Sequence, residues 1–122
     1  MSKTILAVDD SPSVRQMVSM TLTSAGYSVV QAVDGSDGYA KAVSGRFDAV
    51  LTDLNMPGMN GIEFIEKYRT HAGSKGVPIV FLTTESDDAL KQRAKAAGAT
   101  AWIVKPFKPD QLLAIIRKVA GA

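Results

Sequence analysis

The chain has no cysteine, which rules out a disulfide framework and thiolate metal sites and suits the cytoplasm. It has one histidine, His71. A lone histidine supplies no zinc-binding pair, and His71, isolated and on the wrong part of the chain, does not serve a Ser-His-Asp arrangement. Its place at the end of the third predicted helix fits a solvated or dipole-complementing side chain. No apolar run approaches the roughly 18 residues of a membrane span. Met1-Ser2-Lys3-Thr4 leads straight into a predicted strand without a signal-peptide cleavage pattern. No glycine-rich loop follows that strand, so neither a dinucleotide fingerprint nor a P-loop is present, and a nucleotide or flavin site is disfavoured. Repeats, low-complexity segments and linkers are also lacking.

What is present describes one domain with a sizeable core: 122 residues, 46% apolar and 21% charged. The formal charge of +2 is unevenly spread. Residues 1–88 hold seven Lys and Arg against eleven Asp and Glu, whereas residues 89–122 hold seven against one. The basic residues of the second part fall on two predicted helices and form no aromatic-laced patch. An acidic protein partner is therefore expected rather than nucleic acid.

Apolar runs and helical periods alternate five times. Thr4 to Val8 reads as a strand, followed by Ser11 as N-cap, Pro12 at the first helical position, and Val14, Met17, Val18, Leu22 and Ala25 at helical spacing. Gly26 stops that helix. Ser28 to Ala32 is a second strand, Asp34-Gly35 a turn, and Ser36 to Ser44 a helix. The third unit is D-A-V-L-T-D-L-N-M-P-G-M-N-G, residues 48–61, where a short apolar run reaches Asp53 and breaks into a turn-rich loop. Ile62, Phe64, Ile65 and Tyr68 predict the next helix, and residues 73–76 a loop. Val77 to Leu82 is a strand with Pro78 near its start. A helix from about Asp87 to Ala97, a strand over residues 101–104 and a last helix through Leu112, Ile116 and Val119 complete the chain. Near-continuously apolar strands alternating with helices specify a doubly wound, parallel α/β sheet.

Such a sheet brings every strand's carboxyl end to one edge. There the strands deliver Asp9 and Asp10, Asp53, Thr83 and Thr84, and Lys105. Singly these have plain readings as a helix cap, a turn residue, a turn hydroxyl and a surface charge. Together they place three carboxylates, a hydroxyl and an ammonium at the rim where open α/β sheets bind ligands. Clustered carboxylates are relieved most simply by a hard divalent cation such as Mg²⁺. A carboxylate beside a metal, a lysine and a hydroxyl is also equipped to attack phosphorus and become an aspartyl phosphate.

The segments D-D-S-P-S-V-R at 9–15, D-L-N-M-P-G-M-N-G at 53–61, F-L-T-T-E at 81–85 and K-P-F at 105–107 together resemble the receiver domain of two-component response regulators, in order and spacing over nearly the whole chain. Among these the chain looks most similar to free-standing chemotaxis regulators. The resemblance implies a flavodoxin-like fold with strand order 2-1-3-4-5, and a receiver domain over residues 1–122 without an output domain. It implies that a histidine kinase phosphorylates Asp53. It assigns Mg²⁺ to Asp10, Asp53, the Asn55 backbone carbonyl and, more weakly or through water, Asp9. Lys105 and Thr83 would contact phosphoryl oxygens, the Lys105-Pro106 bond would be cis, and Asn55 and Glu85 would tune hydrolysis.

Thr83 and an aromatic on the fifth strand would form the switch. That position is Trp102, where Tyr or Phe is usual, and packing alone is the competing reading. The output face would be the fourth helix, fifth strand and fifth helix, using Lys91, Lys95, Trp102 and Lys118 toward an acidic amphipathic peptide such as one from a flagellar motor switch protein. The expected protein is a cytoplasmic monomer, a phosphoacceptor switch rather than an enzyme. The alternatives are a relay or phosphate-sink receiver outside motility, and a phosphatase turning over through an aspartyl phosphate. The phosphatase is disfavoured because the usual second Asp, two residues after the nucleophile, is here Asn55.

Overall fold

The computed structural model describes residues 3–84 and 87–121. Five strands, β1 (Thr4–Val8), β2 (Ser28–Ala32), β3 (Ala49–Asp53), β4 (Ile79–Thr83) and β5 (Ala101–Val104), alternate with five helices. The helices are α1 (Pro12–Ser24), α2 (Gly35–Ser44), α3 (Gly61–Arg69), α4 (Asp88–Ala97) and α5 (Pro109–Ala120). The strands are all parallel and ordered β2-β1-β3-β4-β5, the flavodoxin-like order. The order reverses at β1, which opens a crevice between the carboxyl ends of β1 and β3.

Alternation along each strand builds two cores. Leu6, Val8, Val50, Ile79 and Phe81 face α2, α3 and α4, where Phe64, Ile65 and Tyr68 are buried. Ile5, Ala7, Leu51, Val80, Leu82 and Ile103 face α1 and α5, meeting Val18, Leu22, Leu112 and Ile116. Continuous apolar runs are thus the mark of strands covered on both faces. Among the described residues no helix is long and apolar enough to cross a membrane.

Several boundaries move by a residue or two from the sequence reading. Gly35 opens α2 instead of forming a turn, because the Asp34 side chain accepts the Asp37 N–H and caps the helix. β4 begins at Ile79 and runs on through Thr83. Pro78 has no N–H to donate and stands just before the strand, where its carbonyl accepts the Val50 N–H at 2.9 Å. Ala72–Ser74 forms one 3-10 turn within the expected loop. Asp87 caps α4, accepting the Ala89 N–H at 2.7 Å.

Candidate functional site

The end of β3 and the loops after β1 and β5 bring Asp9, Asp10, Asp53 and Lys105 together. One carboxylate oxygen from each of the three aspartates lies within 4.8 Å of the others. Asp9 and Asp53 are buried, at 2% and 6% exposure, and Asp10 is exposed. The Lys105 ammonium donates to Asp53 Oδ1 at 2.9 Å and to Asp9 Oδ2 at 3.1 Å. Asp9 Oδ1 accepts the Ser11 N–H at 2.9 Å, so both oxygens of Asp9 are engaged within the protein.

Burial pushes the Asp53 carboxyl above the ordinary aspartate range; Lys105 opposes this without overcoming it, and the Asp9 charge adds to it. Burial works against the Lys105 ammonium, but Asp53 and Asp9 outweigh it and hold Lys105 above its ordinary value.

The segment that presents Asp53 is built around glycine. A Cβ on Gly61 would run into the Asp53 carbonyl oxygen, and the Gly61 N–H donates to the Leu54 carbonyl at 2.9 Å. Only a residue without a side chain lets α3 start that close to β3. Asn60 then caps α3 reciprocally with Glu63. Asn55 is exposed on the loop immediately after β3.

Thr83 is buried, at 2% exposure, at the end of β4, and its carbonyl accepts the Lys105 N–H at 2.6 Å. The Lys105-Pro106 peptide is cis. Glu85 lies outside the described residues. Trp102 sits opposite Phe81 in the β4–β5 register, half-buried, with the Lys91 ammonium 4.4 Å from its ring centroid. Lys91, Lys95 and Trp102 line a groove of about 450 Å³ between α4 and β5. Lys118 lines a separate cavity with Arg69 and Ile115, so the four residues of the expected output face do not share one pocket.

Two arginines near these elements were not singled out by the sequence reading. Arg15 donates to the Asp9 carbonyl at 2.6 Å. The Arg69 guanidinium gathers the carbonyls of Ser74 (2.6 Å), Val77 (2.7 Å) and Gly98 (2.8 Å), tying α3 to the loops before β4 and β5. The signal for Arg15 was its place in the first turns of α1, since helical side chains lean back toward the N-terminus. Nothing local marks Arg69, whose partners are backbone carbonyls up to 29 residues away.

The donor set is all oxygen, with carboxylates converging from the loop after β1 and the end of β3, which fits Mg²⁺ rather than a soft metal. The geometry therefore defines a class: a doubly wound domain with an acidic, lysine-bridged crevice at its switch point. The chain belongs to the response regulator receiver domain family, whose model matches residues 5–117.

It is 38% identical over 119 residues to chemotaxis protein CheY1 of Helicobacter pylori, covering 96% of both chains. It is 38% identical over 117 residues to the DNA-binding response regulator MtrA of Mycolicibacterium smegmatis, covering 96% of this chain and 50% of that one. The chain spans about half the length of several curated relatives it matches. Among solved structures, chemotaxis response regulator CheY4 of Vibrio cholerae has a TM-score of 0.94 and 50% identity, covering 98% of this chain and 99% of that one. The receiver domain of sensor histidine kinase PA1611 from Pseudomonas aeruginosa has a TM-score of 0.91 and 29% identity with full coverage of both, and it holds a magnesium ion in its active-site cleft. Receiver domains work with histidine kinases and downstream partners.

Proposed function

We propose that this chain is a Mg²⁺-dependent phosphoacceptor in which Asp53 takes a phosphoryl group from a histidine kinase. The observation that carries the reading is the convergence of the three aspartates on one another with Lys105 bridging two of them. An Asp53 carboxylate oxygen attacks phosphorus, a P–O bond forms, the P–N bond to the kinase histidine breaks, and its electron pair returns to the imidazole nitrogen. The product is an acyl phosphate on Asp53.

Asp10, Asp53 and the Asn55 carbonyl would hold Mg²⁺, with Asp9 in a lesser role because its oxygens already serve Ser11 and Lys105. When bound, the metal supplies charge neutralisation for the phosphoryl oxygens. Lys105 turns from the carboxylates to a phosphoryl oxygen, Thr83 offers its hydroxyl to another, and Asn55 tunes the lifetime of the acyl phosphate.

Phosphorylation shifts an existing equilibrium of the output face through Thr83 and Trp102. The partner there is an acidic amphipathic peptide, as from a flagellar motor switch protein, and the role is chemotaxis. The 50% identity to CheY4 of Vibrio cholerae, nearly end to end, supports this. A receiver outside motility is the second reading, favoured by the 38% identity to the DNA-binding regulator MtrA, the same as to CheY1 of Helicobacter pylori.

The direct test is labelling by a small acyl-phosphate donor, read by intact mass. Wild type is expected to label only with Mg²⁺, and Asp53→Ala not at all. Undiminished labelling of Asp53→Ala would reject the assignment. Motor-switch peptide capture, with and without a phosphoryl mimic, separates the two readings: phospho-dependent capture supports chemotaxis, and its absence supports the other.

A further inference from the structure

We propose that Arg15 is a positioning residue for the acid pair: its guanidinium fixes the peptide that joins Asp9 to Asp10, so that both carboxylates converge on Asp53. The inference rests on the metal-binding reading above and extends it to a residue that touches neither metal nor phosphate.

The Asp9 carbonyl and the Asp10 amide belong to one planar unit, so holding the carbonyl sets the plane from which Asp10 departs. Arg15 Nη1 donates to that carbonyl at 2.6 Å. On the near side, the Asp9 N–H donates to the Ala32 carbonyl of β2 at 3.1 Å. On the far side, the Ser11 N–H donates to Asp9 Oδ1 at 2.9 Å. Arg15 is itself held in α1, its N–H bonded to the Ser11 carbonyl at 3.0 Å. The loop of residues 9–11 is thus braced from β2, from α1 and from within. Asp9 is buried and locked by Lys105. Asp10 is exposed, so its direction depends chiefly on the backbone that Arg15 orients.

The sign of the effect separates this role from the two simpler ones. Arg15 is a cation close to a candidate cation site. By charge alone, removing it would tighten Mg²⁺ binding. A purely structural brace would lower thermal stability and leave the metal affinity of the folded protein unchanged. A positioning residue does the opposite of the first: its loss weakens binding. Groups that orient metal ligands are worth at least about tenfold in affinity.

The experiment is calorimetric titration of MgCl₂ into wild type, Arg15→Met and Arg15→Lys, each first shown folded by circular dichroism. The dissociation constant of Arg15→Met is expected to rise about tenfold. Arg15→Lys, which keeps the charge and a single donor, is expected to fall between the two. Labelling by a small phosphodonor should return to the wild-type rate once Mg²⁺ is raised to saturation, since the reacting groups are intact. Unchanged or tighter Mg²⁺ binding in folded Arg15→Met overturns the proposal. If Arg15→Met does not fold, Arg15→Lys decides, and wild-type affinity there overturns it. Failure of wild type to bind Mg²⁺ rejects the metal reading itself and this proposal with it, a result distinct from normal wild-type binding with indifferent variants.

Discussion

Replacing Lys105 with methionine leaves two buried carboxylates facing each other without their shared ammonium. The side chains of Asp9, Asp53 and Lys105 are 3%, 8% and 15% exposed, so water screens this little. Removing one partner of a buried ion pair costs about 3–5 kcal/mol. The protein has one escape, which is to protonate Asp53, already held above its ordinary range by burial. Loading a proton onto an aspartate of ordinary value near 3.9 costs about 4 kcal/mol at pH 7 and about 1.5 kcal/mol at pH 5, and these figures cap the loss.

Lys105→Met is therefore expected to lose up to about 4 kcal/mol in metal-free buffer at pH 7 and no more than about 1.5 kcal/mol at pH 5. Saturating MgCl₂ should restore most of the loss at pH 7, since a cation then replaces the ammonium, and Mg²⁺ affinity should rise because Lys105 no longer competes for the carboxylates. The assay is urea unfolding followed by Trp102 fluorescence and circular dichroism at both pH values, with EDTA or MgCl₂. An equal loss at pH 5 and pH 7, or indifference to Mg²⁺, would refute the reasoning.

Asp53→Asn should unfold at higher urea than wild type at pH 7, by about 1 kcal/mol, because a burial-strained carboxylate is replaced by a neutral isostere. A raised Asp53 value means that the native state keeps this proton to higher pH than the unfolded chain. Ionisation therefore subtracts stability as pH rises through that window, and the advantage of the Asp53→Asn variant should vanish below about pH 4. At the alkaline end the slope has the same sign: Lys105 is held above its ordinary value, so its contribution persists below about pH 10.4 and is lost as pH climbs through the folded value. Wild-type unfolding should steepen there, and Lys105→Met should not. Arg69→Met, which strands carbonyls of Ser74, Val77 and Gly98, should cost about 2–3 kcal/mol in urea unfolding with Mg²⁺ affinity unchanged. Lys91→Met should shift Trp102 emission while costing no more than about 1 kcal/mol, since it removes one half-exposed cation–π contact.

Most of the fold was legible because the strands are short apolar runs with hard punctuation. Ser11-Pro12 marks the start of α1, and β1, β2, β3 and β5 fall where the runs predict them. The convergence of Asp53 and Lys105 was legible because parallel topology sends every strand's carboxyl end to the same edge, so a residue's place follows from where its run stops. The errors came where a side chain or a missing N–H decided the boundary, as at Asp34 and Pro78. Arg69, and Arg15 apart from its place in the first turns of α1, were hidden in another way. Both bond to carbonyl oxygens, which every residue carries, so no partner residue type betrays them. Lys105 was expected to face a phosphoryl oxygen, and the structure shows it holding the two carboxylates that would otherwise repel each other.

The same bridge governs how the site would respond to phosphate. Three carboxylates against one ammonium leave an excess of two negative charges, which one divalent cation cancels. A dianionic phosphoryl group approaching the bare crevice meets repulsion from Asp9, Asp10 and Asp53 alike. With the divalent cation present, the approach becomes neutral on balance, and Lys105 is free to change partner. Its backbone N–H is bonded to the Thr83 carbonyl, and Trp102 lies three residues before it, on the edge strand β5. A lysine that moves from carboxylate to phosphate therefore pulls on the two strand ends that carry the buried hydroxyl and the half-buried indole. On the proposed function, metal dependence and signal output would share one cause in this geometry. Lys105→Met, saturated with Mg²⁺, should accept phosphate on Asp53 and leave the Trp102 emission unchanged on phosphorylation. A full fluorescence response in labelled Lys105→Met would show that the signal reaches β5 by Thr83 alone.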